Sequence, residues 1–413
     1  MSERDRSDRV VITGLGLVTP IGVGLEAVSQ AMRASASGVR YQKDWDAIGH
    51  LRTRLAGEVA AIKLAGSDRK KLRSMGRVAR LALTATEQAL ADAGLSEDDV
   101  RAPRTGLAYG STHGSSTAYV DFARPLLAKD SFEGLPATSY LKFMSHTCAA
   151  NLAQHYGIRG RVISTCAACV SGSQAVGAGL EAIRAGRADV MICGGAEELH
   201  WTHAGVFDLM LATSTGYNDR PHESPRPFDR DRDGLVIAEG AGTVVLERYE
   251  HARSRGARIW AELAGYGTNC DGTHVTQPSV EGMAAAMELA LDDARVDASM
   301  IDYVNAHATA TEVGDLAESH AVHHVLGAKV PISSSKGFMG HTLGACGAIE
   351  VGLCVAMMQG KFLAPTRNLE RPDPRCAQLD HVIGDARDAS PSIVMSNNFA
   401  FGGINTSLVL RSV

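Results

Sequence analysis

Stretches with the pattern of β-strands alternate with stretches of helical periodicity along the whole chain, and this alternation limits the possible folds most. The predicted strands cover residues 10–14, 105–110, 161–164, 189–194, 242–247, 259–267, 303–306, 330–333, 393–396 and 406–410. The predicted helices cover residues 25–34, 77–93, 169–185, 281–294, 315–326 and 344–358, and Gly94 is the expected stop of the second. Interleaved strands and helices favour an α/β architecture with buried sheets.

The composition is typical of a folded protein with a large core. Of the 413 residues, 45% are hydrophobic and only 21% are charged, so disorder is not expected. A formal net charge of -5 argues against nucleic-acid binding. The longest apolar stretches, such as residues 351–358, are too short to cross a membrane, and the N-terminal run is too charged for a signal peptide. We therefore expect a cytoplasmic protein without a membrane segment.

A polar segment around residues 250–258 is a natural point at which to divide the chain. It gives two α/β halves, residues 1–255 and 256–413. No low-complexity linker separates them, so we expect one rigid unit with a site at the interface between the halves.

The eight cysteines are best explained as reduced thiols, because they are spread over a long chain with no secretion signal. Cys166 and Cys169 form a C-x-x-C pattern, so a redox pair or half of a zinc site must be considered. No second C-x-x-C follows at zinc spacing. The pair lies where a predicted strand leads into a predicted helix, and a helix N-terminus can lower the pKa of a thiol. A single nucleophile is favoured over a redox pair.

Four residues in contexts rich in small side chains suggest acyl-transfer chemistry: Cys169, His307, Lys336 and His341. Taken singly, such residues are usually a buried thiol, a hydrogen-bonded core imidazole or a solvated amine. Each of these four, however, follows or ends a predicted strand, and α/β sites assemble at strand ends. A thiol that accepts an acyl group needs thiolate stabilisation, and the developing oxyanion needs donors. One cysteine and two histidines meet both needs.

Two glycines after the first strand imitate a nucleotide-binding turn. Gly14-Leu-Gly16 has the spacing of a dinucleotide fingerprint, but Thr19 occupies the third glycine position. Pro20 would also interrupt the helix that such a turn requires. We do not expect a nucleotide site here.

Two further patterns imitate metal sites. Asp229, Asp231, Asp233 and Gly234 are spaced as in an EF-hand loop, but the glutamate comes one residue early, at Glu239. A histidine group in the 315–326 helix has no evident completing ligand and is better explained as a polar helix face; its members are His320, His323 and His324.

The four contexts resemble those of the β-ketoacyl-acyl carrier protein synthases, the condensing enzymes of fatty acid and polyketide synthesis. Further blocks that resemble the family lie at residues 10–16, 194–199, 215–219, 226–234, 337–347 and 396–405, so the resemblance covers essentially the whole chain. It is closest to the elongating type I and II synthases. The resemblance implies a thiolase fold of two similar halves in an α-β-α-β-α sandwich, and a dimer whose interface contributes to the acyl pocket.

The resemblance also implies a role for each matching residue. Cys169 would be the acylated nucleophile. His307 and His341 would bind the malonyl thioester oxygen and promote decarboxylation, and Lys336 would be a charged support. Glu318 matches the acidic partner of that lysine, and such a pairing makes physical sense because a buried lysine is costly without a countercharge.

Other family positions are supporting, gating or binding residues. Asp315 is a second supporting carboxylate. The backbone amides of Cys169 and Phe401 would form the oxyanion hole, and Phe399 and Phe401 would gate the pocket. The pantetheine arm of the carrier would be contacted by Thr309 and Thr311. No metal or other cofactor is expected, since the substrates are carried on phosphopantetheine.

Three departures from the usual family pattern put the housekeeping substrate in doubt. Ala308 replaces a glycine, residues 170–174 read Val-Ser-Gly-Ser-Gln, and residues 397–401 read Asn-Asn-Phe-Ala-Phe where Asn-Ser-Phe-Gly-Phe is common. The Ser-Gly-Ser-Gln run is more similar to synthases of dedicated polyene pathways, including aryl polyenes. The expected reaction is decarboxylative condensation with malonyl-acyl carrier protein in fatty acid or type II polyketide elongation.

Three alternatives share the fold. A degradative thiolase would use a second cysteine as base, where this chain has Phe401 and two glycines. A chain-length-factor subunit normally lacks the cysteine, whereas Cys169 and both histidines are present here. A coenzyme A-primed initiating synthase usually has asparagine in place of one histidine.

The expected partners are an acyl carrier protein and a second synthase chain, as a homodimer or as a heterodimer with a chain-length-factor-like subunit. Carrier proteins are strongly acidic, so a chain of net charge -5 needs a local basic patch. Arg69, Lys70 and Arg73 match the docking stretch of the family; a solvated helix start is the simpler alternative.

Overall fold

The structure, a computed structural model, describes residues 9–62 and 71–413. The strands are β1 (Val10–Thr19), β2 (Gly22–Val23), β3 (Val39–Tyr41), β4 (Leu55–Gly57), β5 (Thr105–Gly110), β6 (Val162–Thr165), β7 (Val190–Glu197), β8 (Ile237–Ala238), β9 (Gly240–Arg248), β10 (Ala261–Cys270), β11 (Tyr303–Asn305), β12 (Pro331–Ser333), β13 (Phe362–Leu363), β14 (Asp380–His381), β15 (Arg387–Asp388), β16 (Ile393–Ala400) and β17 (Ile404–Arg411).

The α-helices are α1 (Leu25–Arg33), α2 (Arg77–Ala93), α3 (Glu97–Arg101), α4 (Ser116–Lys129), α5 (Ser139–Phe143), α6 (Thr147–Tyr156), α7 (Ser171–Arg184), α8 (Trp201–Leu209), α9 (Tyr249–Ser254), α10 (Val280–Ala294), α11 (Glu312–Leu326), α12 (Lys336–Met339) and α13 (Cys346–Gly360). Short 3₁₀ turns include Lys71–Ser74, Ala168–Val170 and Leu343–Ala345.

The strands of the two halves follow the same order. From the middle of the sheet outward, the first half runs β1-β9-β7-β5-β6 and the second runs β10-β17-β16-β11-β12, with β14 beyond. When the five main strands of each half are numbered in chain order, both halves have the same order across the sheet from its middle: 1-5-4-2-3. The halves join where β1 pairs antiparallel with β10, through Val11 opposite Glu262 and Ile12 opposite Ala261. The structure contains the two similar halves that the family resemblance implies.

Helices form three layers around the strands. α2 packs on β1 and β9, whereas α7 packs on β5 and β7. α13 contacts α7 and also β9 and β16, so these two helices form the central layer. α10 covers β10 and β17 on the far side, with α11 against it. This arrangement is the predicted α-β-α-β-α sandwich.

The central helix α13 is the most apolar helix of the core. Every residue from Cys346 to Met358 is buried. Among the described residues, Leu343–Gly360 is the one segment long and apolar enough to cross a membrane by length and composition, and 89% of it is buried inside the protein. Its apolarity is explained by its place between two layers of strands.

Most predicted elements are confirmed, whereas several helices of the first half were not foreseen. α2 has the predicted bounds, and Gly94 ends it in the left-handed conformation at φ 62°. α3, α4, α5, α6 and α8 were missed. The polar segment at 250–258 is mostly helix α9, which leads into β10.

Candidate active site

The four predicted residues follow strands of the large sheet and meet between the halves. Cys169 lies in the 3₁₀ turn between β6 and α7. His307 follows β11, while Lys336 begins α12, shortly after β12. His341 follows that short helix. Because β6 and β12 are equivalent strands of the two halves, the nucleophile and the Lys336–His341 segment are contributed by matching positions.

Cys169 is buried and hydrogen-bonded to an imidazole. Its Sγ lies 2.9 Å from Nε2 of His341. Burial raises the pKa of the thiol to about 12, and the nearby charge of Lys336 lowers it only in part. A helix N-terminus can lower the pKa of a thiol, but at Cys169 the effect of burial is larger. The resting residue is a thiol, and His341 is placed to take its proton.

His307 and His341 face the same space. Their ring centroids lie 5.2 Å apart with the planes nearly perpendicular, at 86°. Burial and the charge of Lys336 hold the pKa of both imidazoles well below the usual value of 6.5. Both rings are therefore neutral at pH 7, and a neutral imidazole can donate an N–H to an oxyanion.

The partner of Lys336 is Glu350, not Glu318. Lys336 Nζ lies 2.5 Å from Glu350 Oε1, and both side chains are almost fully buried. Glu350 lies on α13, which passes beside the lysine. Glu318 adds to the field that raises the pKa of Lys336, but more weakly. The sequence does carry a signal for Glu350: it is the one acidic residue in an apolar helix, and a buried charge needs a partner.

Glu318 instead fixes the turn that carries His307. Its two carboxylate oxygens accept the backbone N–H groups of His307, at 2.8 Å, and Ala308, at 2.6 Å. Burial raises its pKa to about 8. The role of Glu318 is to orient the backbone of the histidine.

Asp315 supports the same region from the start of α11. It accepts the backbone N–H of Phe228 at 2.7 Å and of Ala310 at 3.1 Å. Arg232 lies 3.8 Å away, but burial still raises the Asp315 pKa to about 6. Asp315 therefore ties the 226–234 segment to the turn after His307.

A cavity of about 430 Å³ leads to Cys169, His307 and His341. Thr309 and Thr311, the predicted pantetheine-binding residues, line it, and their hydroxyl oxygens lie 3.1 Å apart. The threonines and the thiol of Cys169 thus line one continuous cavity.

Aromatic side chains narrow this cavity near the thiol. Phe401 is 37% exposed, and its ring lies 5.5 Å from that of Phe207. Phe399 is buried, with its ring 6.1 Å from that of His307. Phe207 could not be foreseen from the sequence because it lies on α8, which has no clear helical periodicity. Gly402 and Gly403 have φ of 92° and 72°, conformations that favour glycine at this turn.

Three patterns that imitate binding sites have structural roles. Gly14 and Gly16 pack against the backbone of α2, where a Cβ would collide with carbonyl oxygens. Asp229 accepts backbone N–H groups of Glu370 and Arg371 at 2.9 and 2.8 Å. Four other side chains in these patterns form hydrogen bonds to neighbouring protein groups: Asp231, Asp233, His320 and His323.

The sulfur atoms of the C-x-x-C pattern are engaged separately. Cys166 is exposed and its thiol faces the carbonyl of Thr112 at 2.9 Å, while Cys169 is buried against His341. In the described part of the chain, one group could hold a metal ion: Cys169, His307 and His341, with one ligand atom each within 4.8 Å. A thiolate and two imidazoles are typical zinc ligands. The three residues that could hold a metal ion are therefore the same three that form the candidate acyl-transfer site.

Of the predicted docking residues, Arg73 is exposed in the Lys71–Ser74 turn. Arg69 and Lys70 lie outside the described residues. The docking assignment stays a prediction.

Comparison with known proteins identifies the family. The profile described as "Beta-ketoacyl synthase, N-terminal domain" matches residues 7–252, and that of the C-terminal domain matches residues 260–370. The chain belongs to the β-ketoacyl synthase family. The 3-oxoacyl-[acyl-carrier-protein] synthase 1 of Haemophilus influenzae is 39% identical to this β-ketoacyl synthase over 98% of both chains.

Two solved structures show the same fold as this β-ketoacyl synthase. A crystal structure of a β-ketoacyl synthase from Burkholderia phymatum STM815 has a TM-score of 0.95 and 49% identity, covering 98% of this chain and 99% of that one. The ishigamide ketosynthase/chain length factor has a TM-score of 0.91 and 33% identity, with the same coverage.

Proposed function

We propose that this β-ketoacyl synthase joins an acyl group to malonyl-acyl carrier protein by decarboxylative condensation. The observation that carries this proposal is the meeting of Cys169, His307 and His341 within 4.8 Å at the inner end of the cavity. Residues 1–255 supply the nucleophile, and residues 256–413 supply the histidines and Lys336. The chemical groups required for acyl capture and for enolate stabilisation are thus both present.

In the first half-reaction, the Cys169 sulfur attacks the thioester of an acyl carrier protein. The thiol proton passes to Nε2 of His341 and then to the departing pantetheine thiolate, so the imidazole returns to its neutral form. The products are acyl-Cys169 and free carrier. A covalent intermediate divides one difficult step into two easier ones.

In the second half-reaction, malonyl-carrier protein enters the same cavity, with its arm beside Thr309 and Thr311. Loss of carbon dioxide leaves an enolate, whose oxygen is held by the N–H groups of His307 and His341. For this step the single proton of the neutral His341 ring must lie on Nε2 rather than Nδ1, a tautomer that becomes available once Cys169 is acylated. The enolate carbon attacks acyl-Cys169, and the backbone amides of Cys169 and Phe401 hold the new oxyanion. The Cys169 thiolate leaves and takes up one proton. Losing one such donor typically costs about 100- to 1000-fold in rate.

The substrate is proposed to be an unsaturated chain of a polyene pathway rather than a saturated fatty acyl chain. The departures at Ala308 and at residues 171–174 support this. The likeness to the ishigamide ketosynthase/chain length factor supports a second synthase chain as partner, and the Haemophilus relative's name supports an acyl carrier protein. We place the reaction in the cytoplasm, with no cofactor beyond the phosphopantetheine of the carrier.

Two of the rival classes fit the site less well. Cys169 and both histidines are present and close together, which argues against a chain-length factor. Phe401 and two glycines lie where a thiolase would have its second cysteine.

Replacing Cys169 separates the two half-reactions. Cys169→Gln is expected to abolish condensation but to leave malonyl-carrier decarboxylation measurable, because enolate stabilisation depends on other residues. The reciprocal variants, His307→Ala and His341→Ala, should decarboxylate about 100-fold more slowly. Acylation of Cys169 should still be detectable by intact mass in both, but it should be slower in His341→Ala, which lacks the base for the thiol proton. Condensation by Cys169→Gln, or normal decarboxylation by both histidine variants, would exclude the mechanism.

A further inference from the structure

Three buried polar side chains, Lys336, Glu350 and Asn398, are hydrogen-bonded in a row beside the reactive residues. Asn398 has no role in the mechanism proposed above. Glu350 receives Lys336 Nζ on one carboxylate oxygen, at 2.5 Å. Its other oxygen receives Nδ2 of Asn398, at 2.6 Å. Glu350 is 2% exposed and Asn398 is fully buried, so water does not replace either contact.

The same amide group also reaches toward the nucleophile. Asn398 Nδ2 lies 3.5 Å from Sγ of Cys346, and that sulfur lies 3.2 Å from the backbone carbonyl oxygen of Cys169. An amide has two N–H groups, one for Glu350 and one for the sulfur. The amide of Asn398 must present its nitrogen, not its oxygen, to Glu350, because the amide oxygen would repel the carboxylate. Asn398 therefore connects the Lys336–Glu350 pair to the turn that carries the thiol.

The contact matters because Glu350 is a buried carboxylate. Without Asn398, one of its oxygens would have no donor, and a buried acceptor without a partner is costly. The carboxylate would then be free to turn from its present position. Such a movement would shift the Lys336 ammonium, whose charge lowers the pKa of His307 and His341.

The backbone of Asn398 is itself fixed. The residue pairs with Thr406 across β16 and β17, and its carbonyl oxygen accepts the Thr406 hydroxyl at 3.2 Å. Phe399 follows directly. The neighbouring Asn397 is equally buried but points to the other face of the strand, where its Oδ1 accepts the Ser407 hydroxyl at 2.8 Å.

We propose that Asn398 is a positioning residue for the condensing reaction: it holds Glu350 so that Lys336 stays fixed beside the two catalytic histidines. This inference rests on the proposed function. Asn398 touches no substrate in this scheme and acts through Glu350. It is also one of the positions where this chain departs from the usual family pattern, which has serine there.

The test compares three substitutions by their rates of malonyl-carrier decarboxylation between pH 6 and pH 8. Asn398→Leu removes the donor and should lower the rate about 10-fold with less than 2-fold change in KM. Asn398→Asp places a second carboxylate beside Glu350, and two such groups favour sharing one proton. The decarboxylation rate of Asn398→Asp should therefore be low at pH 8 and approach that of the natural protein as the pH falls to 6, because the shared proton restores a hydrogen bond to Glu350. Asn398→Ser, the smallest change, should lie between Asn398→Leu and the natural protein.

Asn397→Leu is the matched control, because it changes an equally buried neighbour on the opposite face. It should lower the melting temperature but leave the shape of the pH profile unchanged. In a Glu350→Gln background, Asn398→Leu should have less than a 2-fold further effect, because the two residues act together. Full additivity, or an Asn398→Asp profile parallel to that of the natural protein, would overturn the proposal.

A second measurement keeps this test separate from the proposed function. The rate of Cys169 alkylation by iodoacetamide needs no carrier substrate, and Asn398→Leu should slow it about 3-fold as the charge of Lys336 moves away. If the natural protein decarboxylated no malonyl-carrier protein, the proposed function would fail, while the alkylation result would still decide the role of Asn398. An unchanged alkylation rate in folded Asn398→Leu and Asn398→Ser would count against that role.

Discussion

Lys336 acts on three reactive groups at once. Its buried charge lowers the pKa of His307 and His341 and opposes the rise in the pKa of the Cys169 thiol. A buried ammonium without a countercharge is costly, which explains why Glu350 lies 2.5 Å away. The Lys336–Glu350 pair therefore fixes the position of a charge beside the reactive groups and is not expected to raise the free energy of unfolding.

Removing this pair should change the pH dependence of decarboxylation. Both histidines have lowered pKa values, so the rate of the natural protein should stay level from pH 8 to pH 6.5 and fall only well below 6.5, as the imidazoles become protonated. The variant Lys336→Met/Glu350→Gln removes both charges together. Without the nearby cation the histidine pKa values rise, and the loss of rate should begin at higher pH. A profile that moved to lower pH would contradict this account, and circular dichroism at each pH checks that the variant stays folded.

At the scale of elements, the strand ends place the candidate catalytic residues, and an exposed basic turn is the candidate docking surface. The Lys71–Ser74 turn, with exposed Lys71 and Arg73, precedes α2 on the outer layer. Surface charges change mainly the encounter rate and its salt dependence, because they are screened and lie far from the reacting atoms.

Charge reversal at Arg69, Lys70 and Arg73 is therefore expected to raise KM for carrier-bound substrate several-fold and to flatten its salt dependence. Turnover of small pantetheine thioesters should be unchanged. Lys329→Glu is a suitable control, since this exposed lysine precedes β12 and lies at the opposite end of that strand from the site. Equal impairment with carrier-bound and small substrates would make the stretch structural and remove it as a docking surface.

At the scale of the whole molecule, the two halves bring Cys169, His307 and His341 together at one cavity, and the proposed pathway concerns which acyl chain is accepted there. The proposed polyene pathway predicts at least a 10-fold higher kcat/KM for polyenoyl-carrier than for saturated acyl-carrier substrates of equal length. The comparison is made with the isolated protein and with candidate chain-length-factor partners, by mass spectrometry of carrier-bound products. A clear preference of the isolated protein for saturated chains would assign it to fatty acid elongation.

The sequence alone predicted the strand–helix alternation and the four candidate catalytic residues. Strand and helix periodicities are local properties, and long regular patterns such as that of α2 specify their own bounds. Cys169, His307, Lys336 and His341 could be identified because their short motifs lie directly at strand ends, where the backbone itself places them.

Only the tertiary structure decided which groups meet these four residues. Glu318, the partner assigned to Lys336 by motif, holds the backbone of His307 instead, and Glu350 from α13 pairs with the lysine. Phe207 and Asn398 also reach the site from elements distant in sequence. These contacts depend on how α8, α13 and β16 pack across the centre of the molecule. Local sequence patterns do not show which elements distant in the chain come into contact. The resting thiol is protonated for the same reason: burial, a property of the whole fold, outweighs the local effect of the helix start.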